Sequence, residues 1–341
     1  MPQPLKIGLI VGAEASFPTA FMEEVNARAV DVTAELVRLG ARKMDGAVPY
    51  AVIVDRMSHE VPFYRTYLKH AILHGCRVIN NPFISSSDDK FFGASLAAML
   101  GIRSPRTIML PHKEYAPGLV HEQSLRNLEY PLDWQGVIDY VGLPCILKDA
   151  HGGGWQDVHL CHSLDELLLH YNESGRLLMI AQEYVAWERF VRCLCIGREE
   201  VLPFEYDPVE RRFRAGAEPL PPELSAWLAA ASRRLVRATG YDMNAVDWAV
   251  RGGVPYAVDL MNPVPELGEH QIGTAAFRWA ISNLADLAIR LARKAPPDHA
   301  TPGWARYPER LTGQSDPDRA GDLAEELPSL AQGLTKPKPL H

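Results

Sequence analysis

The sequence has few cysteines, no excess of basic residues and no long uninterrupted apolar segment. Its five cysteines are an odd number, are scattered and form no CxxC pair, which favours a reducing, cytoplasmic setting over a secreted disulfide scaffold. The 35 Lys and Arg residues against 42 Asp and Glu residues give a net charge of −7, which argues against a general nucleic-acid or anionic-membrane binder. No apolar run approaches the length of a membrane span. We therefore expect neither nucleic acid nor a membrane among the partners.

The chain does have the length and composition of an ordinary globular protein. Its 341 residues are 47% hydrophobic, which suits two or three domains of about 100–200 residues each. In the first ninety residues, short apolar runs at 5–11, 50–54 and 76–80 alternate with helix-like segments at 19–39 and 63–74. This β-α-β-α-β order predicts a small parallel sheet covered by helices.

Strand-like runs dominate after residue 102. Prolines make the stretch around 106–110 look irregular, and from residue 296 onward eight of 46 residues are proline, which predicts a surface-wrapping or disordered tail. Between these stretches we predict strands at 145–149, 157–161, 178–185, 191–196 and 200–206, helices at 163–171, 223–239 and 270–294, and a β-hairpin of 246–250 and 256–261 that turns at Arg251-Gly252-Gly253.

A lysine near the end of a predicted strand precedes three glycines. Lys148 is followed by Gly152, Gly153 and Gly154. Glycines let backbone N–H groups surround phosphate oxygens, and a lysine adds a positive charge. The spacing differs from that of a Walker A loop. The alternative interpretation is a flexible hairpin with an incidental lysine.

Three oxygen-bearing side chains lie on or after the predicted hairpin. Asp247 is on one strand, and Asp259 and Asn262 are near the end of the other. Such ligands suit Mg²⁺ that also binds substrate phosphates; the alternative is three exposed polar residues. Asp259 and Asn262 point to opposite faces of a regular strand, so a shared metal requires a bulge or the end of the strand, which Pro263 favours.

Two further clusters carry weaker signals. His70 and His74 have a spacing that suits a transition metal, but two histidines without a third ligand more often face solvent. Arg211, Arg212 and Arg214 form a basic cluster. A solvated surface is its default interpretation, and an anchor for a substrate carboxylate is the alternative.

Taken in order, these features resemble the ATP-grasp superfamily, and within it the RimK-like carboxylate–amine ligases, from about residue 76 to residue 292. Asp89-Lys90-Phe91 resembles the segment with the first phosphate-binding lysine, Lys148 resembles the second, and 152–156 resembles the mobile glycine-rich loop. The resemblance implies nucleotide contacts at Lys90, Lys148, Gly152, Gly153, Gly154, Gln182, Glu183, Tyr184, Val185 and Glu188, metal ligands at Asp247, Asp259 and Asn262, and catalytic roles for Lys148, Arg192 and Asn262.

The sequence departs from the family pattern in the metal motif, at the ribose contact and in the glycine-rich loop, where Trp155 is bulkier than usual. The usual Glu-x-Asn-Pro is one residue longer here, because Asp259 and Asn262 are separated by two residues. Phe190 occupies the position of an acidic residue that often contacts the ribose, and Glu188 is the nearest substitute. These departures bear on the metal ligands and on the ribose contact.

The implied fold is an α/β ATP-grasp fold with an amino-terminal parallel-sheet domain at 1–87, a small central domain at 88–184, a larger antiparallel-sheet domain at 185–295 and a proline-rich tail at 296–341. The implied cofactors are ATP and Mg²⁺, with Mn²⁺ as the alternative metal. The implied reaction joins a small-molecule carboxylate to an amine, such as amino acids or a peptide, through an acyl phosphate and releases ADP and phosphate. A nucleotide-binding regulatory protein without turnover and an ATP-grasp kinase of a small molecule are the alternatives, and a homo-oligomeric state is left open.

Overall fold

The structure is a computed structural model that describes residues 3–85, 89–119, 121–154 and 156–294. The predicted tail at 296–341 and Trp155 lie outside the described residues. The described chain divides into two compact units. The first unit contains the described residues up to 85 together with 190–246 and 262–294, and the second unit contains the described residues of 89–189 together with 247–261.

The amino-terminal part of the first unit is a parallel sheet with helices. Its elements are β1 (Leu5–Ile10), α1 (Ser16–Arg28), β2 (Val32–Leu36), β3 (Val52–Asp55), α2 (Pro62–Leu73), β4 (Arg77–Ile79) and α3 (Pro82–Ser85). The strand order is β2-β1-β3-β4, and all neighbours are parallel. This confirms the predicted parallel sheet. Because the strands are parallel, the residues that follow β1, β3 and β4 meet at one edge of the sheet.

The predicted helix at 19–39 is wrong in its second half. The helix ends at Arg28, and the residues from Val32 form β2 instead. Val32 and Ala34 are buried while the residues between and after them are less so, which is the period-two pattern of a strand. The Asn26 side chain also binds the backbone of Ala34, accepting from its N–H at 2.8 Å. A change of period inside an unbroken stretch without glycine or proline is hard to see in the sequence.

The second unit is built around an antiparallel sheet. Its elements up to residue 183 are α4 (Lys90–Met99), β5 (Thr107–Met109), α5 (His121–Ser124), α6 (Trp134–Val141), β6 (Cys145–Asp149), β7 (Val158–Cys161), α7 (Leu164–Glu173) and β8 (Met179–Glu183). The strand order is β5-β8-β6-β7. The stretch predicted to be irregular therefore contains the short edge strand β5, which pairs Thr107 with Gln182. A three-residue strand between prolines gives too short a pattern to recognise.

The remaining elements are β9 (Arg189–Ile196), β10 (Glu200–Asp207), β11 (Arg212–Phe213), α8 (Pro222–Thr239), β12 (Met243–Arg251), β13 (Val254–Asn262), α9 (Glu269–Ile272) and α10 (Thr274–Arg293). The strand order is β11-β10-β9-β12-β13. The predicted hairpin is confirmed as β12 and β13, and its turn uses positive φ angles of 58° at Gly252 and 73° at Gly253, which glycine adopts without strain.

The hydrophobic core of each unit lies beside its sheet. In the first unit, α1 and α10 pack on each other, and α10 also packs on β1 and β3. In the second unit, Leu147 on β6 and Leu167 on α7 are fully buried in a cluster with their neighbours. Among the described helices, none combines the length and apolar character needed to cross a bilayer.

Candidate functional site

Lys148 occupies an inner strand of the second unit and ends in a buried environment. On β6 it pairs with Val158 of β7 and Ile180 of β8, and only 8% of the residue is exposed. Its Nζ donates to the backbone oxygen of Val258 at 3.2 Å. This hydrogen-bond partner is a neutral carbonyl, and none of the described carboxylates lies within ion-pair distance of the ammonium group.

Lys90 starts helix α4 and reaches the glycine-rich loop. Asp89 caps this helix, with Oδ1 accepting from the N–H of Phe92 at 2.7 Å, as expected for an acidic N-cap residue. The backbone N–H of Lys90 donates to the oxygen of Ala150 at 3.0 Å. Its Nζ donates to the backbone oxygen of Gly152. The helix start and the loop after β6 are therefore joined through Lys90.

Four of the predicted residues interact electrostatically around Lys148. Burial lowers the pKa of the Lys148 ammonium group from 10.5 to about 8. The charges of Asp259 and Asp247 oppose this shift, whereas the charge of Lys90 reinforces it. Two lysines and two carboxylates from four separate elements of the second unit thus act on one another, next to the loop that the sequence predicts to bind phosphate.

The glycine-rich loop joins β6 to β7. Gly154 has a φ of 62°, a conformation that favours glycine. A Cβ added at Gly153 would have none of the described atoms beyond its chain neighbours within 4 Å, whereas a Cβ at Gly152 would lie 3.1 Å from the Cβ of Asp149. The open space at Gly153 leaves its backbone accessible to a ligand.

The proposed metal ligands have the donor chemistry that Mg²⁺ requires. Asp247 on β12 is 5% exposed, and Asp259 is partly exposed on β13. Asn262 is the last residue of β13, so the strand ends immediately before Pro263, as the sequence predicts. Asn262 belongs to the first unit. Among the described residues, no three His, Cys, Asp or Glu side chains form a group that could hold a metal alone. The carboxylates of Asp247 and Asp259, both in the second unit, are oxygen donors of the kind that Mg²⁺ binds together with phosphates and water.

Gln182 and Glu183, two of the predicted nucleotide contacts, use their side chains within the protein. Gln182 is buried and donates to the Thr107 hydroxyl at 2.8 Å. The Glu183 carboxylate lies 3.1 Å from the guanidinium of Arg106 and 3.6 Å from that of Arg251. These contacts fix the end of β8.

Three more predicted residues follow β8. Among the described residues, the backbone–backbone hydrogen bonds outside the helices and strands include none from Tyr184 or Val185. The carboxylate of Glu188, the predicted ribose contact, accepts from the N–H of Gly252 at 3.0 Å.

Arg192 is a buried cation of the first unit, with a carboxylate partner that the sequence did not indicate. On β9 it is paired in register with Phe204. Its Nη1 donates to Oε2 of Glu266 at 2.7 Å, and its guanidinium lies 3.8 Å from the ring centroid of Tyr206. Glu266 follows Asn262 by four residues in a stretch without regular structure, where no periodic pattern marks it.

Asn80 and Arg56 anchor the segment that follows β13 and were also missed as site residues. Nδ2 of Asn80 donates to the oxygen of Pro263 at 2.9 Å, and Nη2 of Arg56 donates to that of Pro265 at 2.6 Å. Both side chains are buried and follow strands of the parallel sheet. A polar residue just after a buried parallel strand was the available signal.

The histidine pair and the arginine cluster, which carry the weaker signals in the sequence, contact groups of the protein itself. His70 Nε2 lies 3.3 Å from the backbone oxygen of Gly46, and His74 Nδ1 lies 3.1 Å from that of His70. One ring nitrogen of each is therefore used in a backbone contact. In the basic cluster, Arg212 pairs with Glu210 at 3.3 Å on the exposed surface.

Comparisons with known proteins agree with this architecture. No protein-family model matches the chain. A segment of 110 residues is 34% identical to D-alanine–D-alanine ligase from Chromohalobacter salexigens, and it spans 32% of this chain and 33% of that ligase. The match thus covers about a third of the length of this relative.

Solved structures match over much more of the chain. The RimK domain ATP-grasp protein from Sphaerobacter thermophilus has a TM-score of 0.61 at 16% identity, over 83% of this chain and 99% of that chain. D-alanine–D-alanine ligase from Bacillus anthracis, complexed with ATP, has a TM-score of 0.58 at 20% identity, over 84% of this chain and 97% of that chain. This likeness and the mixed parallel and antiparallel sheets confirm the predicted fold class: the protein has the ATP-grasp fold.

Proposed function

We propose that the protein is an ATP-dependent carboxylate–amine ligase that forms an acyl phosphate and releases ADP and phosphate. The observation that carries this proposal is the cluster of Lys90, Lys148, Asp247 and Asp259 beside the glycine-rich loop. Cations for phosphate and carboxylates for a metal are both required by phosphoryl transfer from a nucleotide. The ATP-grasp fold and the similarity to a ligase segment support the same reaction class.

Each side chain has a role that follows from its charge and position. Lys90 and Lys148 would bind the phosphates, and ligand oxygens would replace the carbonyls that now accept from them. The loop backbone at Gly152, Gly153 and Gly154 would donate N–H groups to the same anion.

Other residues would contact the base and the ribose of the nucleotide and hold the metal ion. The backbone of Tyr184 and Val185 would contact the base, next to the side chains of Gln182 and Glu183, and Glu188 would contact the ribose. Asp247, Asp259 and Asn262 would hold Mg²⁺, or Mn²⁺, which neutralises phosphate charge.

The chemical steps need positioning rather than a protein nucleophile. A substrate carboxylate oxygen attacks the γ-phosphorus, the bond to the β,γ-bridging oxygen breaks, and ADP leaves. The amine, once its ammonium form has released a proton to solvent, attacks the acyl carbon; the carbon–oxygen bond to phosphate breaks, and phosphate leaves with the proton that the nitrogen gives up as the amide forms. Arg192 would stabilise negative charge on the transferred group, because a cation preset in a buried site stabilises charge that develops there. Closing the loop would keep water from the acyl phosphate.

The substrate class that we propose is an amino acid or a short peptide as carboxylate donor, with an amine as acceptor. The five buried free thiols suit a reducing compartment, and we keep the cytoplasm as the proposed location. The division at residues 87, 184 and 295 into three domains remains our proposal for how these functions are distributed along the chain.

The test measures ADP release from ATP and Mg²⁺ with a panel of amino acids and dipeptides, with and without hydroxylamine. Hydroxylamine converts an acyl phosphate to a hydroxamate, which iron(III) detects by colour. ADP together with hydroxamate supports the ligase. ADP with a stable phosphorylated product and no hydroxamate would favour the kinase, and ATP binding with no ADP under any condition would favour the regulatory protein.

Lys113→Ala is the matched control for site variants. This lysine belongs to the same unit, is exposed and donates to Asn172 Oδ1 at 2.6 Å. Its loss changes the net charge as loss of Lys148 does, but away from the site.

A further inference from the structure

The segment that follows β13 in the first unit is held in place at three points. Two buried side chains, Asn80 and Arg56, donate to its backbone oxygens at Pro263 and Pro265. The third point is Glu266, whose carboxylate accepts from Arg192. A segment fixed in this way presents its side chains in one arrangement, without the entropic cost of ordering them when a ligand binds.

The Glu266 carboxylate has one oxygen in use and one available. Oε2 accepts from Arg192 at 2.7 Å, whereas Oε1 makes no hydrogen bond with the described residues. The Glu266 side chain is 29% exposed and that of Arg192 only 4%. The guanidinium is therefore the buried member of the pair, and the carboxylate is the member that a ligand reaches.

Arg192 is itself constrained on its other side. Its guanidinium stacks on Tyr206, which adds a cation–π attraction. Because the cation is buried and stacked, it fixes the orientation of the carboxylate that pairs with it. Charge-assisted hydrogen bonds of this kind are strong and directional.

A carboxylate in this position suits one ligand class. An amine that accepts an acyl group is mostly an ammonium ion at neutral pH, and an ammonium ion is best bound by an anionic acceptor of fixed orientation. Glu266 lies four residues after Asn262 and contacts Arg192, two residues to which the proposed function gives roles at the reacting groups.

We propose that Glu266 binds and orients the ammonium group of the amine substrate. The proposal rests on the ligase function and adds the acceptor class to it: a primary amine that is protonated at neutral pH, such as an amino acid or a peptide amino terminus. Glu266 then selects against acceptors that carry no positive charge.

The experiment compares two kinds of acceptor in wild type, Glu266→Gln and Glu266→Asp. The donor is the amino acid that gives hydroxamate in the wild-type panel. Hydroxylamine is uncharged at neutral pH, whereas ethylamine, glycine, L- and D-alanine and glycylglycine carry an ammonium group. We expect Glu266→Gln to lower kcat/KM for the cationic acceptor about tenfold to a hundredfold, since a hydrogen bond between charged groups is lost. Hydroxamate formation should change little, and Glu266→Asp should restore part of the loss.

The matched control is Glu269→Gln. Glu269 is an exposed carboxylate three residues further on, and it contacts Ser16 Oγ only through its backbone N–H. Thermal denaturation of each variant verifies that it is folded.

The outcomes separate the inference from the proposed function. An equal loss with hydroxylamine and with the cationic acceptors would mean that Glu266 only orients Arg192 and would overturn the inference alone. So would unchanged kinetics in Glu266→Gln, or a wild type that uses hydroxylamine but none of the cationic acceptors. A wild type that releases no ADP with any donor would overturn the proposed function and the inference with it.

Discussion

The two units of the molecule differ in how their functional and buried cations are partnered. In the second unit, Lys90 and Lys148 donate to the backbone oxygens of Gly152 and Val258, and neither has a carboxylate at ion-pair distance among the described residues. In the first unit, each of two buried arginines has such a partner: Arg192 pairs with Glu266, and Arg56 pairs with Glu14.

The difference shows which cations are prepared for an anionic ligand. A carbonyl satisfies the hydrogen bond of an ammonium group but leaves its charge uncompensated. Burial of this charge lowers the pKa of Lys148, with a further contribution from the charge of Lys90, and an incoming polyanion would be a stabilising partner. The two arginines already have carboxylate partners, which hold their guanidinium groups in place, and the exposed member of each pair is the carboxylate.

The largest expected effect comes from removing Lys148. Lys148→Ala should lower turnover by at least about a hundredfold, the usual cost of losing one preset group that stabilises developing charge. ADP release and nucleotide affinity, measured in parallel with the Lys113→Ala control, provide the test. Wild-type ADP release in Lys148→Ala would refute the phosphate assignment.

Removing the charge of Lys148 is expected to stabilise the folded protein, although it lowers turnover. Lys148→Met removes a buried charge without an ion-pair partner and should raise the free energy of unfolding at pH 7 by about 1 kcal/mol or more. By contrast, Arg192→Met leaves the Glu266 carboxylate without its partner. Urea denaturation of both variants measures the contrast. A destabilised Lys148→Met would break the comparison between the units.

The second largest effect is expected at the carboxylates near Lys148. Asp259→Asn removes one charge from the proposed Mg²⁺ site and should lower kcat about tenfold or more, with a smaller effect on nucleotide affinity. Mg²⁺ titrations of ATP binding and of ADP release in wild type and variant separate the two quantities. ATP binding that is independent of Mg²⁺, with no ADP released, would favour a nucleotide-binding protein without turnover.

How much of this site could be predicted depends on how local its signals are. Lys148 and its glycines lie within seven residues of one another, and the β12–β13 hairpin has a glycine turn, so both could be recognised along the sequence. The partner of Arg192 is 74 residues away in an irregular segment, and only tertiary structure brings Glu266 to it. The strand β2 was hidden by a change of period within a stretch read as one helix, because tertiary pairing with β1 outweighs local helix propensity there.

A smaller effect is expected from pH, through the pKa of Lys148. The pKa of about 8 in the ligand-free protein means that the ammonium group loses its proton as pH rises above 8. Affinity for ATP or for pyrophosphate should therefore fall by up to about tenfold per pH unit above that value. Calorimetry in buffers of different ionisation enthalpy should show proton uptake on binding at pH 8.5. Lys148→Met should show neither effect, and a wild-type affinity that stays constant to pH 9.5 would contradict the assignment.

The same pKa sets the sign of a stability change. The folded-state pKa lies below the unfolded value of 10.5, so between these values the unfolded chain binds more protons. The contribution of Lys148 to the free energy of unfolding should then rise with pH across this window. The difference between wild type and Lys148→Met, measured by urea denaturation from pH 7 to pH 10, isolates it from the other titrating groups.

The smallest expected effect comes from substituting glycines of the loop between β6 and β7. It tests whether this loop needs the positive φ that glycine adopts at position 154. Gly154 has a φ of 62°, and forcing alanine into that region costs roughly 1 kcal/mol, whereas Gly153 has a negative or extended φ and open space around it. Gly154→Ala should thus lower the free energy of unfolding by about 1 kcal/mol or lower the ATP affinity about fivefold, if the loop shifts instead of straining. Gly153→Ala is the matched control and should leave stability unchanged, because its Cβ meets nothing within 4 Å. Equal effects of the two substitutions on both quantities would mean that the positive φ of Gly154 limits neither the stability of the protein nor its affinity for ATP.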